Sequence, residues 1–394
     1  MAINLGVFFG GRSVEHEVAI ISAVQAMQSM NKSKYNLIPV YLTKDGEMLS
    51  GDALFDINNY KNMTELRKKV NSVVFRRCDG KVYMIPEKKG IFKQKNAVVL
   101  DFAFPVVHGT FCEDGTVQGL FESLAIPYAG CDVMASAGGM DKVVFKNIMA
   151  AAGLPVLDCV TFSSRKWITE KENVIAEIES KIGYPVIVKP ANLGSSVGIG
   201  KASDRESLIA KINEAASFGQ KLLVERAISP LREINCAVVG VNDDCTASVC
   251  EEPVMSDEIL SYSDKYLSGG KNKKDEASQG MASLSRMIPA PISEQKTGEI
   301  RNLAKKVFET LGCCGVVRID FMLDGEQEKV YINEINTIPG SLSFYLFEPA
   351  GMPYPELLDR IIECGMKRDR ERQNLMFTYD TNILENGSFG TKGK

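Results

Sequence analysis

Three stretches predict a mixed α/β and α+β chain of two or three domains. The first runs from Ile3 to Phe9 (INLGVFF), a short buried strand followed by Gly10-Gly11-Arg12-Ser13 and an apolar helix through Met27. The second is GYPVIVKPANLGSSVGIG, from Gly183 to Gly200, a strand that ends on a lysine and enters a glycine- and serine-rich loop. The third is RIDFMLDGEQEKVYINEINTIPG, from Arg318 to Gly340, two strands joined by a turn at Asp324-Gly325. A length of 394 residues suits two or three domains.

Composition narrows the classes of function. Hydrophobic residues make up 45% and charged residues 24%, as in an ordinary globular protein with ample core. A formal charge of −4 gives no reason to expect nucleic acid or an anionic membrane as partner. No apolar run is long enough to span a membrane, and the N-terminus reads as a strand rather than a signal peptide. Ten cysteines are scattered without a CxxC, which fits reduced thiols in a cytoplasmic chain. With only two histidines, a divalent metal here would have to sit on oxygen.

In chain order, Ser13 reads as an N-cap with Glu15, His16 and Glu17 around the first helical turn. Strand, glycine turn and helix N-terminus make a pocket for an anion or a carboxylate. The acids would equally suit the helix dipole, and the lack of GxGxxG argues against a dinucleotide. From Leu37 to Leu42 a second strand is expected. Residues 44–95 read as polar and irregular, with strand candidates at Val73–Phe75 and Val82–Met84. A third strand is expected from Ala97 to Val107, ending at His108, which either packs or meets a ligand at the strand end. A helix from Val117 to Leu124 follows, and Pro127 to Gly130 marks a boundary. In the second informative stretch Val186-Ile187-Val188 ends on Lys189, with a return strand from Val197 to Gly200. Backbone N–H groups of that loop can cradle phosphates, with Ser195 and Ser196 adding hydroxyls. A flexible hairpin tip is the other reading. Glu225 ends a further strand and Glu233 begins the next. The long polar loop from Val254 to Pro289 carries Tyr262, Lys265 and Tyr266, and its length suits a lid. A helix from Ser293 to Leu311 leads into the hairpin, a last helix runs from Pro355 to Arg368, and the terminal tail is predicted to fray.

On the hairpin, Asp320 lies on the first strand, and Glu334 and Asn336, two apart, share one face of the second. If the strands pair antiparallel, three hard oxygen ligands converge beside Arg318, a set that suits Mg²⁺. Turn acids alone would look similar. The following Thr337-Ile338-Pro339-Gly340 lets backbone amides approach an anion.

Glycine-serine loop, two lysines, a strand glutamate and an Asp/Glu/Asn trio are the parts of an ATP-grasp fold. FFGGRSVEHEV, HGTFCEDGTVQG, MDK, VKPANLGSSVGI, DKYLSGG, RIDFMLD and NEINTIPG together resemble the D-alanine–D-alanine ligase family, over about residues 3 to 365. The resemblance implies an N-terminal nucleotide-fold-like α/β domain (1–129), a central ATP-grasp subdomain (130–224), a catalytic C-terminal subdomain (225–380) and a disordered tail (381–394). It implies an ATP-dependent carboxylate–amine ligase, cytoplasmic and homodimeric, joining D-alanine to a second amino acid for peptidoglycan synthesis and cell shape. Two Mg²⁺ ions, or Mn²⁺ in their place, would lie on Asp320, Glu334 and Asn336. Lys142, Lys189, Ser195, Ser196, Glu225 and Glu233 would bind ATP. Glu15 would take the ammonium of the first amino acid and His108 its carboxylate. Glu15, Ser195 and Tyr266 would link the N-terminal domain, the central loop and the lid, and Arg318 and the Gly340 amide would face the oxyanion.

The chain departs from the family after Pro339-Gly340. Where the family usually reads FTSxS or MTSxS, this chain has Ser341-Leu342-Ser343-Phe344-Tyr345-Leu346, with Tyr345 at the position of the serine that holds the acceptor carboxylate. Either the acceptor binds displaced, against Lys265 and the Tyr345 hydroxyl, or Tyr345 turns into the core and the acceptor differs. Local repacking with D-alanine still used is the third outcome. Two other functions stay open at this point: a ligase for another acceptor (D-serine, D-lactate or an unrelated amino acid), and an ATP-binding pseudoligase.

Overall fold

The computed structural model describes residues 2–87, 97–194, 197–254 and 286–377. Ser195, Ser196, Tyr262, Lys265, Tyr266 and the terminal tail therefore lie outside the described residues, and with them the expected covering loop and lid.

The strands β1 (Ile3–Gly10), β2 (Tyr35–Leu42), β3 (Met48–Ser50), β4 (Asn71–Cys78), β5 (Lys81–Pro86), β6 (Val98–Leu100) and β7 (Phe102–Val107) form one sheet, in the order β6-β5-β4-β3-β2-β1-β7. β1 runs parallel to both β2 and β7, and these strands are nearly all apolar because helices and loops cover both faces. β3 to β6 add antiparallel strands. The stretch 44–95, expected to be irregular, thus supplies three strands, two 3-10 turns and the helix Met63–Lys69. The single strand expected from Ala97 to Val107 is two strands broken at Asp101. There the Asn4 amide donates to Asp101 Oδ2 (2.8 Å), and the Asp101 amide donates to the Asn4 carbonyl (3.0 Å). Because β6 and β7 end opposite edges of the order yet are separated by one residue, the sheet curls on itself.

The first helix is His16–Ser29, two residues later than a Ser13 cap would give. Ser13 Oγ instead accepts from the Glu15 amide (3.0 Å), an ST-type turn that competes with helical pairing. β8 (Cys159–Ser163), β9 (Val186–Pro190), β10 (Gly200–Ala202) and β11 (Lys221–Arg226) form an antiparallel sheet in the order β10-β9-β11-β8. The return strand begins at Gly200, three residues later than expected. The helices Lys171–Lys181 and Arg205–Ala216 close its core on Val174, Ile178, Leu208 and Ile212.

The third sheet holds β12 (Leu231–Val241), β13 (Asp244–Pro253), β14 (Arg286–Met287), β15 (Cys314–Asp324) and β16 (Lys329–Asn336), in the antiparallel order β14-β13-β12-β15-β16. The helix Glu294–Leu311, capped by Ser293 Oγ on the Lys296 amide, buries Ile300, Ala304, Val307 and Phe308 against it. The last helix, Tyr354–Gln373, ties this sheet to the first one. Asp359 accepts from Lys34 (2.6 Å) and the Tyr35 hydroxyl (2.8 Å), and Arg368 donates to the Gly130 and Tyr128 carbonyls (2.5 and 2.8 Å). One apolar core consequently runs from Val7, Phe8 and Phe104 in the first sheet to Val239 and Val316 in the third.

Candidate active site

The β15–β16 hairpin pairs antiparallel, with Asp320 opposite Glu334 and Arg318 opposite Asn336. Directly opposed residues project to the same face, so two carboxylates, an amide and a guanidinium gather at one end of the hairpin. Arg318 holds Asp320 by both oxygens (Nε–Oδ1 2.7 Å, Nη2–Oδ2 2.8 Å), and Asn336 Nδ2 donates to Oδ2 (3.1 Å). Burial works against the Arg318 charge, but Asp320 outweighs it and keeps the group cationic well beyond the ordinary range. Among the described residues no three His, Cys, Asp or Glu side chains cluster as a metal cage. The Asp320, Glu334 and Asn336 set, two carboxylates and one amide, fits a metal that keeps waters and shares phosphate oxygens, as Mg²⁺ does. Asn336 would present Oδ1 by turning its amide.

Two lysines reach this cluster, one from a helix and one from the second sheet. Lys142 opens the helix Lys142–Ala151, which Asp141 caps through the amides of Val143 and Val144 (3.0 and 3.1 Å). Its Nζ lies 3.0 Å from Glu334 Oε2 and donates to the Leu193 carbonyl (2.7 Å). Lys189, at the end of β9, donates to Asn333 Oδ1 (3.0 Å) and to Glu225. Glu225 is 1% exposed, and its other oxygen lies 2.8 Å from Lys146 Nζ. Burial alone would raise its carboxyl, yet Lys146 and Lys189 hold it at about 2. Lys146 was not singled out from the sequence; its i+4 spacing from Lys142 on one helix was the available signal. Glu233 stands on β12 opposite Met322, within electrostatic reach of Lys189.

On the opposite side, the first sheet delivers Glu15 and His108. A methyl group added at Gly194 would lie 3.3 Å from both Glu15 carboxylate oxygens, so the glycine loop of the second sheet reaches the first helix at that point. Gly109 has φ +76, and a Cβ there would meet Ser13 Oγ at 2.3 Å and Glu15 Oε2 at 2.7 Å. His108 is buried, with Nδ1 2.7 Å from the Ile338 carbonyl and Nε2 3.2 Å from Ser22 Oγ. A carbonyl only accepts, so Nδ1 carries the proton and Nε2 accepts from the Ser22 hydroxyl. Burial lowers its pKa and keeps the ring neutral. Ser22 Oγ in turn accepts from the Ser341 amide (3.0 Å). Both ring nitrogens thus serve the turn at 338–341.

Glu113 is a further residue of this side that sequence reasoning passed over as part of a turn. Its buried carboxylate accepts from the amides of Ile338 (2.9 Å) and Gly109 (3.1 Å) and from Thr337 Oγ1 (3.4 Å). Burial and the neighbouring Glu15 push the carboxyl up to about 7. The turn it holds continues into Ser341, Leu342 and Ser343, all left-handed at φ +50 to +52 without a glycine among them. Each such residue costs about 1 kcal/mol or more, and persists because its surroundings over-determine it. Gly340 starts this turn. Ser341 and Leu346 are fully buried, and Tyr345 is 8% exposed. Of the two placements open to Tyr345, the side chain has turned inward. The Arg286 guanidinium stacks 4.1 Å from its ring centroid, and its hydroxyl lies 3.5 Å from Glu251 Oε1.

Known proteins share this sequence and this architecture. Residues 4–131 match the family model described as D-ala D-ala ligase N-terminus, and residues 148–363 match D-ala D-ala ligase C-terminus. A D-alanine–D-alanine ligase of Thermosipho melanesiensis is 38% identical over 385 residues, covering 97% of this chain and 98% of that protein. One from Bacillus cytotoxicus is 37% identical over 380 residues, covering 95% and 99%. Among solved structures, the D-alanine–D-alanine ligase of Coxiella burnetii aligns with a TM-score of 0.76 at 27% identity, covering 94% and 96%. The VanG D-Ala:D-Ser ligase of Enterococcus faecalis aligns with a TM-score of 0.76 at 28% identity, covering 93% and 100%.

Proposed function

The chain belongs to the D-alanine–D-alanine ligase family, with its ATP-grasp fold, and we propose on that premise how its residues carry out the ligation. It is read as an ATP-dependent carboxylate–amine ligase that joins two D-alanines for peptidoglycan precursor synthesis. The observation that carries the reading is the meeting of Lys142, at the start of the helix Lys142–Ala151, with Glu334 on the hairpin that also aligns Arg318, Asp320 and Asn336.

In the proposed sequence, the first D-alanine lies between Glu15 and the 338–341 turn. Its carboxylate attacks the γ-phosphorus of ATP, giving an acylphosphate and ADP. The amine of the second D-alanine then attacks the acyl carbon. A C–N bond forms, the C–O bond to phosphate breaks, and inorganic phosphate leaves with loss of the amine proton. Phosphoryl transfer depends on alignment and charge neutralisation more than on covalent help from the protein. Lys142 and Lys189 supply positive charge on the nucleotide side, Glu225 keeps Lys189 charged and oriented, and Lys146 holds the other Glu225 oxygen. Glu233 is assigned to the ribose side, and Ser195 and Ser196 to the loop over the phosphates. Arg318 and the Gly340 amide face the oxyanion, where one donor is commonly worth about 3 kcal/mol. Asp320, Glu334 and Asn336 would hold two Mg²⁺ ions, which supply charge to the transferring phosphoryl group. His108 and Glu113 act here as positioning residues, because their hydrogen bonds go to the turn that carries Gly340.

Closure of Lys265 and Tyr266 over Glu15 and Ser195, a cytoplasmic location and a homodimer are carried from the family resemblance. Among the described residues, no helix is long and apolar enough to cross a membrane. Phosphate release with ATP, Mg²⁺ and D-alanine tests the activity. Turnover stimulated by D-alanine supports the ligase; ATP binding without turnover would overturn it.

A further inference from the structure

A polar row crosses the third sheet from the hairpin to its far side. Glu334 on β16 faces Asp320 on β15, Asp320 faces Asn235 on β12, and Asn235 faces Glu251 on β13. Residues opposed in this way share a face, and each strand adds about 4.8 Å. The row therefore leads from the lysine-bearing, nucleotide side of the hairpin to the side where Tyr345 packs. Four polar side chains on one face of a buried sheet need a reason, since a burial of this kind is costly unless each group is paired.

Three of the four atoms at the far end are paired. Asn235 Nδ2 donates to Glu251 Oε1 (3.1 Å), Arg286 Nη1 donates to Glu251 Oε2 (2.7 Å), and the Tyr345 hydroxyl faces Oε1. Asn235 is 5% exposed, and its Oδ1 has no hydrogen-bond partner among the described residues. Its amide orientation is set by Glu251, which can only accept and so takes the NH₂ end. An acceptor oxygen is thus left buried, one strand away from Asp320, waiting for a donor.

We propose that Asn235, fixed by the Glu251–Arg286–Tyr345 cluster, is a specificity-determining residue for the second substrate, and that its Oδ1 takes an N–H of the incoming amine. The proposal rests on the ligase reading and deepens it. A 2-hydroxy acid brings one O–H donor at the reacting atom, and an amino acid brings several N–H donors. An amine can therefore lose one proton in the reaction and still satisfy Asn235, whereas a hydroxy acid leaves the oxygen unpaired. The row selects an amino acid over a 2-hydroxy acid.

The test uses the full-length enzyme with ATP, Mg²⁺ and D-alanine as first substrate, and D-alanine competing with D-lactate as second. Asn235→Leu should lower the ratio of dipeptide to depsipeptide by about 10-fold. The loss should lie in the KM for the second substrate, with the KM for ATP and D-alanine-dependent acylphosphate formation, read by isotope exchange within ATP, retained. Asn235→Gln keeps both an acceptor oxygen and an NH₂ donor for Glu251 and should restore much of the ratio. Tyr345→Phe should give a smaller change in the same direction. Thermal melting distinguishes loss of fold from loss of selection. An unchanged ratio in a folded, active Asn235→Leu enzyme overturns the assignment, as does a uniform fall of both products together with isotope exchange. A parent enzyme with no D-alanine-dependent ADP formation overturns the ligase reading itself, an outcome the variants would not produce alone.

Discussion

Glu334 and Glu113 illustrate how the same side-chain type serves two ends at the residue scale. Glu334, opposite Asp320 and 3.0 Å from Lys142, keeps a carboxylate at the edge of the hairpin, where the proposed metal site would draw on both carboxylates. Glu334→Gln removes one of those charges. Turnover is expected to fall by about 100-fold or more at saturating Mg²⁺, with the melting temperature close to the parent's. Activity within a few-fold of the parent would remove Glu334 from the metal site. Glu113 is buried among backbone amides and raised to about 7 by burial and by Glu15, from an ordinary 4.5. A carboxyl raised in the folded state favours folding below about pH 4.5 and loses that contribution as pH rises through about 7. The loss amounts to roughly 3 kcal/mol for this group. Denaturant unfolding of the parent should therefore weaken between those pH values more than that of Glu113→Gln; parallel curves would show that the group titrates normally. Neither the burial of Glu113 nor its three donors could be read from EDGT, which looks like any turn.

The helix Lys142–Ala151 shows what an element contributes beyond its residues. Its first turn directs Lys142 to Glu334, and one turn later Lys146 reaches Glu225, so a single helix braces both lysine-bearing regions. Lys146→Met leaves Glu225 buried with one cation in place of two. Breaking a buried pair in this way is expected to cost about 3 kcal/mol of stability and to raise the KM for ATP more than the KM for D-alanine. A change below about 0.5 kcal/mol in denaturant unfolding would show that Lys189 alone suffices. The hairpin β15–β16 was legible in the sequence because two strand-length apolar runs flank a turn and its acids alternate with them. The turn after it was not legible. Ser341, Leu342 and Ser343 adopt positive φ with no glycine or asparagine to announce it, held by Ser22 and by burial.

For the whole molecule, the cores define what can move separately. The first and third sheets share one apolar core and are strapped by the helix Tyr354–Gln373, while the second sheet has a core of its own. The second sheet meets the third through Lys189 with Asn333, Arg226 with Asp324 (2.9 Å) and a small apolar cluster of Leu157, Ile228 and Met322. Hydrogen exchange should show β9 and β11 opening independently of β1, β7 and β12 in the free protein. A non-hydrolysable ATP analogue with Mg²⁺ should slow exchange in β9 and β11 most, since a ligand protects the unit it binds. Uniform protection of all three sheets would argue that they open together.

The sequence by itself determined the family, the hairpin with its Asp320, Glu334 and Asn336, the lysine-terminated strand β9 and the apolar strands of the first sheet. These follow from local periodicity and from motifs whose spacing is short. Only the tertiary structure decided that strands between Met48 and Pro86 extend the first sheet, that Asp101 breaks β6 from β7, and that Tyr345 packs inward under Arg286. It also decided that Glu113, Lys146, Ser22 and Asn235 belong beside the site. Each of these depends on a partner far along the chain: Ile338 for Glu113, Glu225 for Lys146, Ser341 for Ser22 and Asp320 for Asn235. Local propensity carries no information about such pairings, because they are selected by burial and charge once the sheets have met.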